Sequence, residues 1–271
     1  MTAISEITHF LSEFAPLTLA EAWDNVGLLI GDAQHPVRRI LTCLTVTPDV
    51  VAEAVALQVD LIVSHHPLLF KPVQRLVASD PQGALLLSLI GAEIAVYSPH
   101  TAFDSASAGI NQQLAKQFGL LDVHPLRVKP NPVNSLSSLA EVECGAGRCG
   151  DLPQPCTLDE LCQSTKRVLN IPSLQRVGQP AATMRRLGIA CGAAAEFIPD
   201  ALAAGCDALL TGEARFHDCL RARDSGLALI LPGHYATERP AVESLAEVLQ
   251  SQFANLTVTA SVREHDPVQI V

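Results

Sequence analysis

The chain has 271 residues, 18 of them basic and 28 acidic, for a net charge of -10; hydrophobic residues make up 48% and charged ones 17%. That is one large domain or two small ones at roughly 100 to 200 residues each, too apolar for a disordered chain, and no run approaches the roughly 18 consecutive apolar residues of a membrane span. The acidic balance opposes nucleic-acid backbones and anionic membrane surfaces at long range and leaves room for a local nucleotide pocket.

In chain order, Ile4, Ile7, Phe10, Leu11 and Phe14 recur three or four apart, which predicts an amphipathic helix. The same segment carries Glu6 and Glu13 and has neither a basic start nor a cleavable apolar block, so it does not read as a signal peptide. Apolar runs at 40–46 and 61–63 read as buried strands. Thr47 and Pro48 stand between them as N-cap and first residue of a helix, which completes a βαβ unit. A helix at 84–89 and a strand at 93–97 continue the alternation. From about Val123 the texture turns Pro- and Ser-rich (HPLRVKPNPVNSLSS, 124–138), which marks a boundary. Thr157 and Glu160 then form a capping box ahead of an apolar helical face. Strands at 187–191, 208–211 and 227–231, a helix through 197–205, and a C-terminal helix followed by the alternating Leu256, Val258, Ala260 and Val262 complete an α/β pattern.

The eight cysteines include no Cys-x-x-Cys and read as reduced thiols of a cytoplasmic protein. Cys144, Cys149, Cys156 and Cys162 crowd together, but their spacing is irregular for structural zinc and Cys162 lies on a helix's apolar stripe.

Metal-competent side chains gather at the C-terminal ends of predicted strands, where open α/β sheets place their sites. The strand at 60–64 runs into His65, His66 and Pro67. Adjacent strand residues face opposite sides, so both imidazoles reach one site only where the strand breaks, and Pro67 favours a break there. The next strand leads to His100 and Asp104, four apart; a carboxylate can bridge two cations, as an imidazole cannot. The strand at 227–231 leads to His234, with Glu238 four residues on. If that turn is helical the two share a face, although Glu238 also suits the positive end of a helix. Together His65, His66, Asp104, His234 and Glu238 offer three nitrogen and two carboxylate donors, which suit two cations with open positions better than one, and hydrolytic chemistry is expected. Zinc, iron and manganese all fit this set. His100 reads either as a proton shuttle or as a hydrogen-bonded loop histidine. Glu213 and His217 either line the pocket or lie in a solvated loop, while Trp23, Asp24 and Asn25 read as packing and turn residues.

The blocks AEAWDNVGLLIGD (20–32), DLIVSHHPLLF (60–70), YSPHTAFDSASAGIN (97–111), CGAAAEFIPDALAAGCDALLTGE (191–213) and GHYATERPAVESLAEVL (233–249) resemble, in order, the Nif-three-like family, whose members carry the name GTP cyclohydrolase 1 type 2 homologue. The resemblance covers nearly the whole chain. It implies a dinuclear metal site on His65, His66, Asp104, His234 and Glu238, a ring-shaped homohexamer, and a hydrolase in which metal-bound hydroxide opens the guanine imidazole ring of GTP with formate release. Two departures stand out. Leu44, Thr45, Val46 and Thr47 replace a family Leu-Asp-Val-Thr strand, and the histidine pattern after Thr-Gly-Glu is thinned to Arg215, Phe216, His217 and Asp218.

The expected architecture is α/β with two interlinked lobes, 1–125 plus 233–271 and 126–232, and the metal site in the cleft between them. The expected function is a dinuclear metal-dependent hydrolase, holding two divalent transition-metal ions per chain and acting on a small molecule, with GTP the candidate and His100 and Glu213 the candidate proton-moving residues. The alternative is a metal-dependent binding or regulatory protein with little turnover. There is no Gly-x-x-x-x-Gly-Lys loop to hold a triphosphate.

Overall fold

The computed structural model describes residues 2–130 and 143–270, so residues 131–138 of the Pro- and Ser-rich stretch lie outside the described residues. The elements run in the order α1 (Ile4–Phe14), β1 (Gly27–Ile30), β2 (Arg39–Cys43), α2 (Pro48–Ala56), β3 (Leu61–Ser64), α3 (Pro81–Gly91), β4 (Ala95–Ser98) and α4 (His100–Ser105). Then come α5 (Ile110–Gln117), β5 (Leu121–His124), β6 (Arg127–Val128), β7 (Gly145–Ala146), β8 (Arg148–Thr157), α6 (Leu158–Val168), β9 (Gln175–Val177) and β10 (Thr183–Ala190). The chain continues through α7 (Ile198–Ala203), β11 (Ala208–Thr211), α8 (Phe216–Asp224), β12 (Ala228–Leu231), α9 (His234–Gln252) and β13 (Thr257–Ala260). The fold is mixed α/β, and no helix among the described residues is long and apolar enough to cross a membrane.

Two compact units emerge: one comprises the chain up to Phe103 together with the chain from Ala241 on, and the other is Asp104–Pro240. The divisions fall at 103/104 and 240/241, where sequence texture suggests 125/126 and 232/233. Helix α5 packs on β8 and β10, and so joins the second unit despite preceding the Pro-rich stretch. The later division falls at Pro240, inside α9.

The first unit is built on a five-stranded sheet in the order β1-β4-β3-β2-β13. Strands β13, β2, β3 and β4 are parallel, and β1 pairs antiparallel with β4. Every residue of β3 and β4 is buried, as expected of parallel strands covered on both faces. Leu41, Val50, Ala54, Ile62, Leu89 and Val96 form the core between this sheet and helices α2 and α3. The Thr47 hydroxyl accepts from the Val50 amide and Pro48 occupies the first turn, where its missing N–H costs nothing. Strand β2 stops at Cys43, short of the expected Val46, because the Leu44 and Thr45 amides donate to the Glu264 carboxylate instead of a neighbouring strand. Strand β4 starts at Ala95, not at Glu93, which has a left-handed φ of 55° just after α3.

The second unit holds a six-stranded sheet in the order β5-β8-β10-β11-β12-β9, with β10, β11 and β12 parallel. Its core includes Phe197, Ile198, Ala201, Leu209, Leu229 and Leu231. The capping box of α6 forms in full: Thr157 N–H donates to the Glu160 carboxylate (2.8 Å), and Glu160 N–H donates to the Thr157 hydroxyl (3.2 Å). Arg148 is fully buried here. Its guanidinium donates to Gln112 Oε1 (2.7 Å) and to the carbonyls of Gly145 (2.6 Å), Gly147 (2.7 Å) and Ala106 (3.0 Å).

Candidate functional site

In the first unit, the ends of two adjacent parallel strands, β3 and β4, supply the donors. Past β3, His65 N–H and His66 N–H continue the ladder to the carbonyls of Cys43 (3.0 Å) and Leu44 (2.8 Å). Two hydroxyls fix the turn that follows, Ser64 Oγ donating to the His66 carbonyl (2.9 Å) and Ser98 Oγ to the His65 carbonyl (2.6 Å). This turn brings both imidazoles to one side, with ring centroids 5.0 Å apart. His100, first residue of α4, joins them: His65, His66 and His100 each offer a ring nitrogen, and these atoms lie within 4.8 Å of one another.

Two of the three rings, those of His66 and His100, are held from behind. Thr45 Oγ1 lies 2.7 Å from His66 Nδ1, so a neutral hydroxyl meets this histidine at the position where the family resemblance leads one to expect a carboxylate. Asp24, whose side chain is completely buried, lies 2.7 Å from His100 Nδ1 and also accepts from the Thr101 hydroxyl and amide. Burial alone acts to raise the Asp24 pKa; the bonds from His100 and Thr101 outweigh it and hold the carboxyl below the ordinary range. Asp24 closes a turn, its N–H donating to the Glu21 carbonyl (3.0 Å), and is also the orienting partner of His100, a pairing across 76 residues that composition and spacing do not signal. His100 itself has a left-handed φ of 32°, a strained conformation for a side-chain-bearing residue and one that clusters at functional sites.

In the second unit the pattern repeats on β10, β11 and β12, whose ends lead to Cys191, Glu213 and His234. Helix α9 begins at His234, so Glu238 sits one turn on along the same face, and His234 Nε2 approaches its carboxylate at 2.9 Å. Glu238 is only 4% exposed. His234 Nδ1 meets Glu213 at 2.9 Å. A Cβ added at Gly192 would lie 2.3 Å from Glu238 Oε1, so the bare glycine, at a φ of +67°, makes room for that carboxylate. Asp104 Oδ1 accepts from the Cys191 thiol at 3.3 Å. Burial, reinforced by the charges of Asp104 and Glu238, pushes this thiol well above its usual pKa. Cys191 was not singled out by sequence; its position at the end of β10, beside two other donor-bearing strand ends, was the available signal. His217 lies exposed on α8 with its ring 5.5 Å from Phe216, and it joins neither donor group.

Both donor groups fit a divalent transition metal. Clustered imidazoles and buried carboxylates are nitrogen and oxygen ligands of the zinc, iron and manganese class. A carboxylate on the far ring nitrogen, as Asp24 provides for His100 and Glu213 for His234, is the usual device for fixing a ligating or proton-moving imidazole.

The hydrogen bond to Glu238, opposed by burial and helped by Glu213, raises the His234 pKa to about 9. Without metal, this ion pair contributes stability that is complete below the ordinary histidine pKa of about 6.5 and fades as pH rises through 9. Imidazole NMR of metal-stripped protein is expected to show His234 titrating near pH 9. Titration at the ordinary value would show that the pair does not form in solution.

The family model for Duf34/NIF3 (NGG1p interacting factor 3) matches residues 2–267. A Clostridium acetobutylicum protein named GTP cyclohydrolase 1 type 2 homolog is 30% identical over 259 residues, spanning 96% of this chain and 94% of the relative. A Nostoc protein of the same name is 37% identical over 221 residues, 80% of this chain and 79% of the relative. The crystal structure of the Staphylococcus aureus hypothetical protein SA1388 superposes with a TM-score of 0.88 at 30% identity, covering 99% of each chain.

Proposed function

The chain belongs to the Duf34/NIF3 family, and from that membership and its two donor groups we propose that it is a dinuclear metal-dependent hydrolase. The proposed ligands are His65, His66, Asp104, His234 and Glu238, serving two divalent transition-metal ions per chain. The observation that carries this reading is the placement of imidazoles and carboxylates at the C-terminal ends of parallel strands, with His66, His100 and His234 each backed by an orienting partner.

Two bound cations would supply Lewis-acid polarisation of a substrate oxygen and a water activated for attack at neutral pH. The protein's own residues do the rest. Asp24 holds the proton of His100 on Nδ1, which makes Nε2 the basic nitrogen and suits His100 to take and return a proton. Glu213 holds His234 in orientation through Nδ1, a positioning role in place of direct proton transfer. GTP is the first substrate to test, because the relatives' shared name points to it. We further propose a homohexamer and a reducing, cytoplasmic setting, the latter supported by eight free cysteines.

Elemental analysis after reconstitution with zinc, iron and manganese in turn is expected to find close to two ions per chain, with nucleotide turnover in the loaded protein. One ion or none would overturn the dinuclear reading. Two ions without turnover of any nucleotide or small phosphoester would favour a metal-dependent binding or regulatory protein.

A further inference from the structure

Beside the three histidines of the first unit stand two large aromatic side chains that the fold does not cover: Trp23 is 62% exposed and Phe70 51% exposed. Scattered exposed apolar residues are ordinary, but an anchored cluster is not. The loop bearing Trp23 is tied down on both sides. Asp24 holds His100 and Thr101, Glu21 N–H donates to Thr101 Oγ1 (2.9 Å), and Asn25 Nδ2 donates to the Leu69 carbonyl (2.7 Å), which binds this loop to the one carrying Phe70. Trp23 and Phe70 meet edge to face at 5.8 Å, and His100 lies 6.1 Å from the first ring and 6.3 Å from the second. A continuous group of rings thus runs from solvent to His100 and, 5.2 Å further, to His65.

We propose that Trp23 and Phe70 form a stacking site for the planar nitrogen heteroaromatic ring of an anionic substrate, such as a purine nucleotide, and hold that ring against His100. The inference rests on the hydrolase reading and names the substrate class of the same site. A rigid indole with an exposed face binds planar rings of any sequence at little entropic cost. Continuity with the histidine group selects a small ring that must reach those histidines over a protein surface that need not. In a chain of net charge -10, the Phe70 loop (67–77) carries Lys71 and Arg75 and no acidic residue, two cations available to an anionic tail, set against Glu21 and Asp24 on the Trp23 loop.

Trp23 is the sole tryptophan, so its emission reports on the site directly. Metal-stripped protein titrated with GMP, corrected for absorbance, is expected to show saturable quenching, whereas ribose 5-phosphate, an anion without the ring, leaves emission unchanged. Phe70→Ala is expected to weaken GMP binding at least about fivefold, and Trp23→Leu, followed by equilibrium dialysis, by a similar or larger factor. Both variants are expected to keep wild-type metal content, which shows that they are folded. Absence of saturable quenching up to millimolar GMP, or equal GMP affinity in Trp23→Leu, overturns the proposal. A change of assembly mass in Trp23→Leu with GMP affinity intact also overturns it and assigns the patch to a contact between copies. The assay uses no metal, so its failure with two ions bound leaves the metal reading standing, and its success in a protein that binds no metal leaves the ring site standing.

Discussion

Glu238→Gln is expected to leave the protein folded and to strip it of most of its bound metal. The substitution keeps size and shape in a site where the carboxylate is 4% exposed and fits against the bare backbone of Gly192. It removes the negative charge, and a neutral amide oxygen is a poor ligand for a divalent transition metal. Disturbing even the orienting partner of a ligand costs about tenfold to a hundredfold in metal affinity, so for a ligand the expected loss is at least that large. If Glu238 only complemented the positive end of α9, the change would cost about 0.3 to 1 kcal/mol of stability and nothing in metal. Elemental analysis with a urea melt separates the two, and wild-type metal content in a mildly destabilised variant would remove Glu238 from the ligand set.

Arg148→Met is the second large effect, and it acts on stability. Methionine matches much of the arginine's length, but it leaves the Gln112 side chain and the carbonyls of Ala106, Gly145 and Gly147 without the donors that the guanidinium supplies in a fully buried position. Each buried acceptor deprived of its partner costs roughly 1 to 3 kcal/mol before relaxation, so the total is expected to exceed about 3 kcal/mol. Burial depresses the arginine's own pKa to about 10, still high enough to keep it charged at neutral pH. Denaturant unfolding of the variant measures the loss; a change below about 1 kcal/mol would mean that water replaces the guanidinium at little cost.

Local chemistry made much of this fold legible. Thr47 with Pro48, and Thr157 with Glu160, announce α2 and α6 because a cap satisfies orphan amides within four residues and needs nothing from the rest of the chain. Strand β8 is the opposite case: Arg148–Thr157 contains Pro153 and Pro155 and lacks apolar alternation, and it is a strand because it pairs with β5 and β10. The site divides the same way. His65, His66 and His234 stand out because they follow short apolar runs, and position after a strand can be read in one dimension. Asp24 and Cys191 do not, because their meaning lies in His100 and Asp104, which are 76 and 87 residues away. Trp23 reads as a core residue by type alone; only the fold shows it largely exposed.

The Glu264 carboxylate that receives the Leu44 and Thr45 amides also imposes an order on biosynthesis. Strand β13 pairs with β2 from Thr257↔Arg39 to Ala260↔Thr42, and both β13 and Glu264 follow the whole of Asp104–Pro240 in the chain. Segments fold roughly as they are made, at about 5 to 20 residues per second, so the β2 edge waits on the order of ten seconds for its partner. Through that interval Ile40, Leu41 and Thr42 form the open flank of a half-built parallel sheet, the kind of edge on which nascent chains associate. The second unit is continuous in sequence and has no such delay, so it is the part able to mature first on the ribosome, while the first unit's sheet is completed only once β13 has been made.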